Sequence, residues 1–517
     1  MRTCLKSVLL LMAAAACGGE RAKPSVPQTR AQTDSLQGLS GAQRDSLHHL
    51  SEGDEFIKLS VLRALNNVAT GRAFLDDIER FGMVHDPAEA DGLPIGLSAA
   101  SPPDVGRVTD KMVGFTCAAC HTSALAYKGT VMIVEGAPAL IDAERFEKEL
   151  LASLDALRAP SELAGFFARL RDQPSNSVVA TQLTLADVPK LLDAFRRRLD
   201  SFRALKALLE HTEQTTPGYG RIDAFGTGRD LLFPDSKLPL TAPVRYPKVW
   251  DAYRRKWLHW DANTNSVMER NIGQAIAAGA VFDPVTKRST LLPENLHALE
   301  SLVQRIQPPR WPVAVLGPLD TMLARQGRQI YAQECERCHA LRAAVDRDTL
   351  LPYRVVGTDM QRAVSAAIPL RNGGLYPVVA GRLLREIKDS AFRQNRISPE
   401  RQRAMEGDRA TSEWRVTQSY VARPLTGVWA TAPYLHNGSV PTLRDLLLPV
   451  VSRPTSFLMG SHEYDPVNVG LATDSSRTAP PFRFDTRRTG NSNAGHEYSI
   501  TLTEPQRRQL LEYLKTL

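Results

Sequence analysis

Cysteine is scarce, six in 517 residues, too few to staple a chain of this size with disulfides. Cys4 and Cys17 lie at the extreme N-terminus. The other four form two copies of one pattern, Cys117-Ala-Ala-Cys120-His121 and Cys335-Glu-Arg-Cys338-His339. Long apolar runs are equally scarce. The one at Ser7 to Ala16 is too short to span a bilayer as a mature helix, which excludes a polytopic membrane protein. A hydrophobic fraction of 43% with 23% charged residues also excludes a wholly disordered chain. Neither sign of charge dominates: 64 Lys and Arg stand against 56 Asp and Glu. The basic residues are scattered among acids, Arg196 to Arg198 being the densest run, with no interleaved aromatic platform, so no nucleic-acid partner is expected.

A chain of this length carries two or three domains. Arg2 and Lys6, the apolar run and the small residues before Cys17 read as an export signal over residues 1–16. Ala-Ala-Ala-Cys17-Gly-Gly has the form of a lipoprotein processing site, which makes a lipid at Cys17 the sole expected membrane attachment and places the protein in the periplasm, at the outer membrane or cell surface, or, without the lipid, outside the cell. Residues 17–50, rich in Gly, Ser, Pro and Gln up to about Leu47, read as a flexible tether. Beyond them, Phe56, Leu59, Leu62, Leu65, Phe74 and Ile78 recur at helical intervals, as do the apolar residues of Ala143 to Leu157 and Leu191 to Leu209. Strand signals are few and short, such as Thr130 to Val134. Gln307-Pro-Pro-Arg-Trp-Pro312 breaks any helix, so the expected boundary separates an N-terminal domain, residues 51–310, from a C-terminal one, residues 311–517. The fold class expected is mainly α, two cytochrome c-like haem domains with long irregular loops and few short strands. In the second, Thr321 to Tyr331 runs into Cys335, Thr503 and Gln506 make a capping box, and Gly327 allows the first helix to cross the terminal one closely.

Cys-x-x-Cys-His is the attachment signature of c-type haem. Two thiols three positions apart reach the two vinyl groups from one side of the porphyrin, and the adjacent histidine turns under the ring to the iron. A thioredoxin-like site needs a strand-to-helix setting, and a zinc site built from both pairs leaves the two histidines unexplained. The expected cofactors are therefore two covalent haems, on Cys117 and Cys120 with His121, and on Cys335 and Cys338 with His339. A second protein ligand makes an electron-transfer haem, whereas an open face admits peroxide or dioxygen. For the second haem, Met360, Met405, His436, Met459, His462 and His496 are available. His496 is favoured, because its Gly and Asn loop just before the terminal helix can drape over the iron, with His436 and Met459 next. Between the motifs, Trp257 to Asn271 concentrates reactive side chains. Glu269 or His259 could move a proton to and from peroxide, and Trp250, Trp257 or Trp260 could relay electrons. The alternative for this segment is an aromatic core with Asp261 and the amides capping a helix.

The two motifs, Ala432-Pro-Tyr-Leu-His-Asn-Gly-Ser-Val-Pro-Thr-Leu443 and Gly495-His496-Glu-Tyr498 resemble the bacterial di-haem cytochrome c peroxidase superfamily. Trp260-Asp-Ala-Asn-Thr-Asn-Ser266 and Arg270-Asn271 bring the likeness closest to its rubber oxygenase branch, over about Gly53 to Leu517. The resemblance implies one haem per domain, the N-terminal one reactive and the C-terminal one relaying electrons between two histidines, the second near the chain end, as His496 is. It implies an apolar dioxygen pocket in rubber oxygenases and a glutamate over the iron in peroxidases. Met268 and Glu269 offer both. Calcium between the domains is a feature of the peroxidases. The function expected is an exported di-haem oxidoreductase using peroxide or dioxygen, with a small redox protein as electron donor. The alternative is a pure electron carrier.

Overall fold

The computed structural model describes residues 29–32, 37–53, 56–86, 89, 92–101, 111–173, 214–283, 285–340, 349–407, 412–474 and 480–517. The export signal, Cys4, Cys17 and the helix expected at Leu191 to Leu209 lie outside them. With about 42% helix and 16% strand, the structure is mixed, which corrects the mainly α expectation. The strands escape a search for periodicity because most are two to four residues long and pair in small local sheets. The longest pair, Thr122–Tyr127 and Thr130–Glu135, is antiparallel around Lys128 and Gly129, both with positive φ, as two-residue hairpin turns require. It starts directly after the short helix Cys117–His121.

The segment read as a tether is ordered before it ends. Thr29–Gln32 pairs in parallel with the second hairpin strand, and Gly41–His49 is a helix closed by a reciprocal Ser40 and Gln43 cap. Leu39 and Leu47 enter the largest core. Two apolar residues are too few to produce a periodic signal, but they suffice to dock one helical face.

That core also unites the two sides of the Pro-rich stretch. Trp250, Leu125 and Met132 share it with Trp311, Tyr331, Trp429 and Leu510, and the Trp311 ring lies 5.4 Å from that of Trp429. A second core of Phe74, Phe81, Phe115 and Phe146, with ring centres 5.2 to 5.5 Å apart, lies under the first Cys-x-x-Cys-His turn. The motif-bearing turns are thus set on packed aromatic layers, which resist displacement.

The helix Thr321–Glu334 crosses the terminal helix Glu504–Lys515, which is capped by Thr503 and Gln506. A Cβ on Gly327 would fall 1.9 Å from the Gln509 carbonyl oxygen, so only glycine permits this crossing. Gly327→Ala is expected to destabilise the protein by about 3 kcal/mol or more through overpacking against backbone. Gly165→Ala, inside the helix Pro160–Arg171 and facing only the flexible end of Arg169, should instead stabilise by roughly 0.5–1 kcal/mol. Guanidinium unfolding midpoints of the two variants check both signs.

Candidate functional site

The second motif is built at a helix end. Cys335 caps Thr321–Glu334, the chain continues as Glu336–His339, and the Tyr331 hydroxyl donates to the His339 carbonyl. The His339 ring places Nδ1 2.7 Å from the Arg423 carbonyl oxygen. A carbonyl only accepts, so Nδ1 carries the proton and Nε2 is left as the free ligating nitrogen. The His496 ring lies across from it, with centroids 6.1 Å apart. A metal held by an imidazole nitrogen lies roughly 2 Å from it, so this separation is what two facing rings need to share one iron. His496 is set there by its N–H bond to the Val356 carbonyl at 2.9 Å, and by Gly495, whose absent Cβ would meet Gly357 at 2.4 Å. Burial pushes His496 down to about 4 and lowers His339 as well, so both are neutral, as ligation requires.

The other candidate ligands sit elsewhere. Met360 is exposed, Met405 and Met459 are buried in two of the cores, His436 stacks on Tyr420 at 4.1 Å, and the His462 Nδ1 meets the Ala124 carbonyl at 3.0 Å.

The first motif repeats the anchoring. His121 Nδ1 donates to the Pro247 carbonyl at 2.9 Å, and burial, with Arg270 and Arg423 nearby, pushes the ring down to about 4. Beside it, the Cys117 thiol donates to Glu52 at 2.8 Å. Burial pushes Cys120 up to about 12. The helix Val267–Ala277 divides its faces around this motif. Gln274 reaches the Cys117 sulfur at 3.5 Å, Arg270 one turn earlier acts on Cys117 and His121 by its charge, and Met268, Ile272 and Ala275 fill a separate core. Arg270 Nε and Glu52 Oε2 by the first motif, and Thr358 Oγ1 and His496 Nδ1 by the second, are buried without a hydrogen-bond partner. Buried polar atoms rarely stay so, so both motifs have polar capacity to receive a bound group.

The residues expected to be catalytic part company here. Glu269, fully buried, turns to the opposite side of the same helix, where its carboxylate accepts from Ser412 and from the Trp414 indole at 2.7 Å and pairs with Arg385 and Lys388. His259 holds a positive φ of 66°, donates from Nδ1 to Asn263 at 2.7 Å and is pushed by burial down to about 3. Trp260 has the guanidinium groups of Arg245 and Arg423 at 5.0 and 4.6 Å from its ring centre, and donates to the Arg245 carbonyl. Trp257 stacks under Arg415, and Trp250 donates to Thr426 inside the core.

Two residues that the sequence does not single out tie these parts together. Arg423, whose carbonyl holds His339, donates from Nη1 to the Lys248 carbonyl and from Nη2 to that of His259, both at 3.2 Å. Lys248 follows Pro247, which holds His121, and its Nζ donates to the carbonyls of Pro424 and Thr426. The two carbonyl anchors therefore belong to segments clamped to each other. A lone Arg and a lone Lys in loops carry no spacing signal, so only the fold reveals them.

If Glu269 serves to fix its helix, Trp414→Phe removes a donor from a buried carboxylate and should cost about 1–3 kcal/mol. Denaturant unfolding of the variant checks this, and an unchanged unfolding free energy would show that the bond holds nothing in place.

The RoxA-like, cytochrome c-like family matches residues 419–458, the stretch that contains the Arg423 carbonyl and all of the Ala432 to Leu443 segment. Uncharacterized protein y4iJ of Sinorhizobium fredii is 31% identical over 579 aligned residues, covering 96% of this chain and 94% of that protein. Uncharacterized protein y4iM of the same organism is 30% identical over 303 residues, 54% of this chain and 65% of its own. The matched domain supports the rubber-oxygenase-like branch and implies haem c as cofactor in a redox protein. The chain belongs to the same family as y4iJ of Sinorhizobium fredii and carries a RoxA-like cytochrome c domain.

Proposed function

We propose that the protein is an exported di-haem c-type oxidoreductase. It reacts with dioxygen or peroxide at a haem carried by Cys117, Cys120 and His121, and passes electrons through a second haem carried by Cys335, Cys338, His339 and His496. The observation that carries this reading is an asymmetry. A histidine ring faces His339 at 6.1 Å, whereas among the described residues no histidine ring faces His121, whose ring neighbour is Tyr246. A haem with imidazole on both faces transfers electrons, and one with a single imidazole leaves a face for a small oxidant.

The protein's own groups suit this division. The His121 tautomer is set by Pro247, and the positive charge of Arg270 favours the more negative, reduced states of that site. Trp260, with the guanidinium groups of Arg245 and Arg423 at its ring, would serve as the electron relay. With Glu269 held by Ser412 and Trp414, His259 is what remains of the two proton-transfer residues read from the sequence, and Glu52 beside Cys117 is the carboxylate at the motif itself. The RoxA-like match favours dioxygen, and with it oxidation of an unsaturated hydrocarbon, over peroxide. Export with a lipid on Cys17 would place the protein in the periplasm or at the cell surface, where a small redox protein donates electrons. For calcium no ligand set is proposed.

Absorption and electron paramagnetic resonance spectra of the purified protein test the asymmetry. One high-spin or oxygen-bound haem beside one low-spin haem is the expected result, and two low-spin haems inert to peroxide and dioxygen would establish the electron carrier instead. His496→Gly should convert the low-spin haem to high spin without loss of covalent haem. Arg423→Ala should slow equilibration of electrons between the haems in stopped-flow reduction while leaving both Soret bands in place.

A further inference from the structure

The N-terminal helix carries a group of metal-ligating side chains that the haem motifs do not use. Asp45 and His49 stand four residues apart on Gly41–His49, hence on one face. Glu89 comes to them from a separate segment. One ligand atom of each of Asp45, His49 and Glu89 lies within 4.8 Å of the other two. Around His49 Nε2, Asp86 Oδ2 is at 3.4 Å and Glu89 Oε2 at 3.9 Å. Donor atoms bound tetrahedrally to one zinc lie roughly 3.4 Å apart, so little movement would close a coordination shell.

A second, independent feature aims this histidine. Its Nδ1 donates to the Leu97 carbonyl at 2.8 Å, which leaves Nε2 directed at the carboxylates; Nε2 donates to Asp86 at 3.4 Å, and a bound cation would take the place of that proton. That is how metal-ligating histidines are oriented, and it repeats what Pro247 and Arg423 do for His121 and His339. The neighbouring His48 is committed elsewhere, bridging Asp86 at 3.1 Å and Glu135 at 2.9 Å. Four carboxylates thus converge on two imidazoles.

We propose that Asp45, His49 and Glu89, with Asp86 beside them, bind one divalent first-row transition-metal ion, zinc being the best match. An imidazole among the donors selects against calcium and magnesium, which take all-oxygen shells. Asp45 is exposed, so the ion can enter from solvent. The site is independent of the haem chemistry but not of the haem domain. The His48 carbonyl accepts from Thr116 Oγ1 at 2.9 Å, one residue before Cys117, so an ion clasping this helix also braces the first Cys-x-x-Cys-His turn.

The test uses the haem-loaded full chain, stripped with a chelator, desalted and titrated calorimetrically with zinc chloride. One zinc per chain with a Kd at or below about 10 µM is expected, together with a higher thermal unfolding midpoint. His49→Gln and Glu89→Gln should each weaken zinc binding by about tenfold or more, with Soret spectrum and iron content unchanged. No binding in this range, equal binding by both variants, or displacement of zinc by equimolar calcium would overturn the assignment.

Discussion

Two hydrogen bonds from histidine to main-chain carbonyls decide what this structure can do. His121 is held by Pro247 and His339 by Arg423, and in each case the bond fixes both the direction of the ring and the nitrogen left free. A carbonyl is a stable anchor only if its peptide cannot turn. Here the two peptides immobilise one another, because Arg423 donates back to Lys248 and Lys248 donates to Pro424 and Thr426. The ring positions of both motifs are consequently one property of the fold, not two.

The rest of the architecture keeps that clamp in place. Trp250 and Trp429 are buried in the core that also takes in Tyr331, at the end of the helix leading to Cys335. Gly327 lets the terminal helix close over this helix, and Gly495 lets the chain carry His496 close to Gly357. Neither glycine touches a reactive group. Each removes the steric volume that would otherwise hold a histidine or a helix about a methyl group too far away, and in a close-packed interior that distance cannot be recovered by relaxation.

The parts legible in the sequence are those written in local spacing. Cys-x-x-Cys-His and the Thr503 and Gln506 cap each lie within a few residues of chain, and Gly327 and His496 draw notice by where they stand relative to the motif and the terminal helix. What was not legible depends on pairing between distant segments. The small sheets form between strands too short to show alternation, so helix periodicity overstated the α content. The Gly41–His49 helix has only its cap and Leu47 to announce it. Arg423 and Lys248 look like ordinary surface cations until Pro247 and His339 are seen beside them. Glu269 was misleading for a related reason: composition places an acid next to Arg270 and Asn271, but helical geometry puts residues 269 and 270 about 100° apart, on faces that look toward different neighbours.

That last point bears on which chemistry the first motif can support. A carboxylate above an iron helps cleave peroxide because it can take up a proton and give it back. Glu269 already accepts from Trp414 and Ser412 and sits among two cations, so its lone pairs are engaged and its charge compensated. What the helix offers toward Cys117 is instead Arg270 and Gln274, a fixed positive charge and an amide, neither of which is a base. With Glu269 turned away, the carboxylate nearest this motif is Glu52, which accepts from the Cys117 thiol, and the positive charge of Arg270 on the same side suits the site to holding a reduced, electron-rich oxidant. This distinction, together with the RoxA-like match at residues 419–458, inclines the proposed chemistry toward dioxygen, and it follows from the rotation of a single helix about its axis.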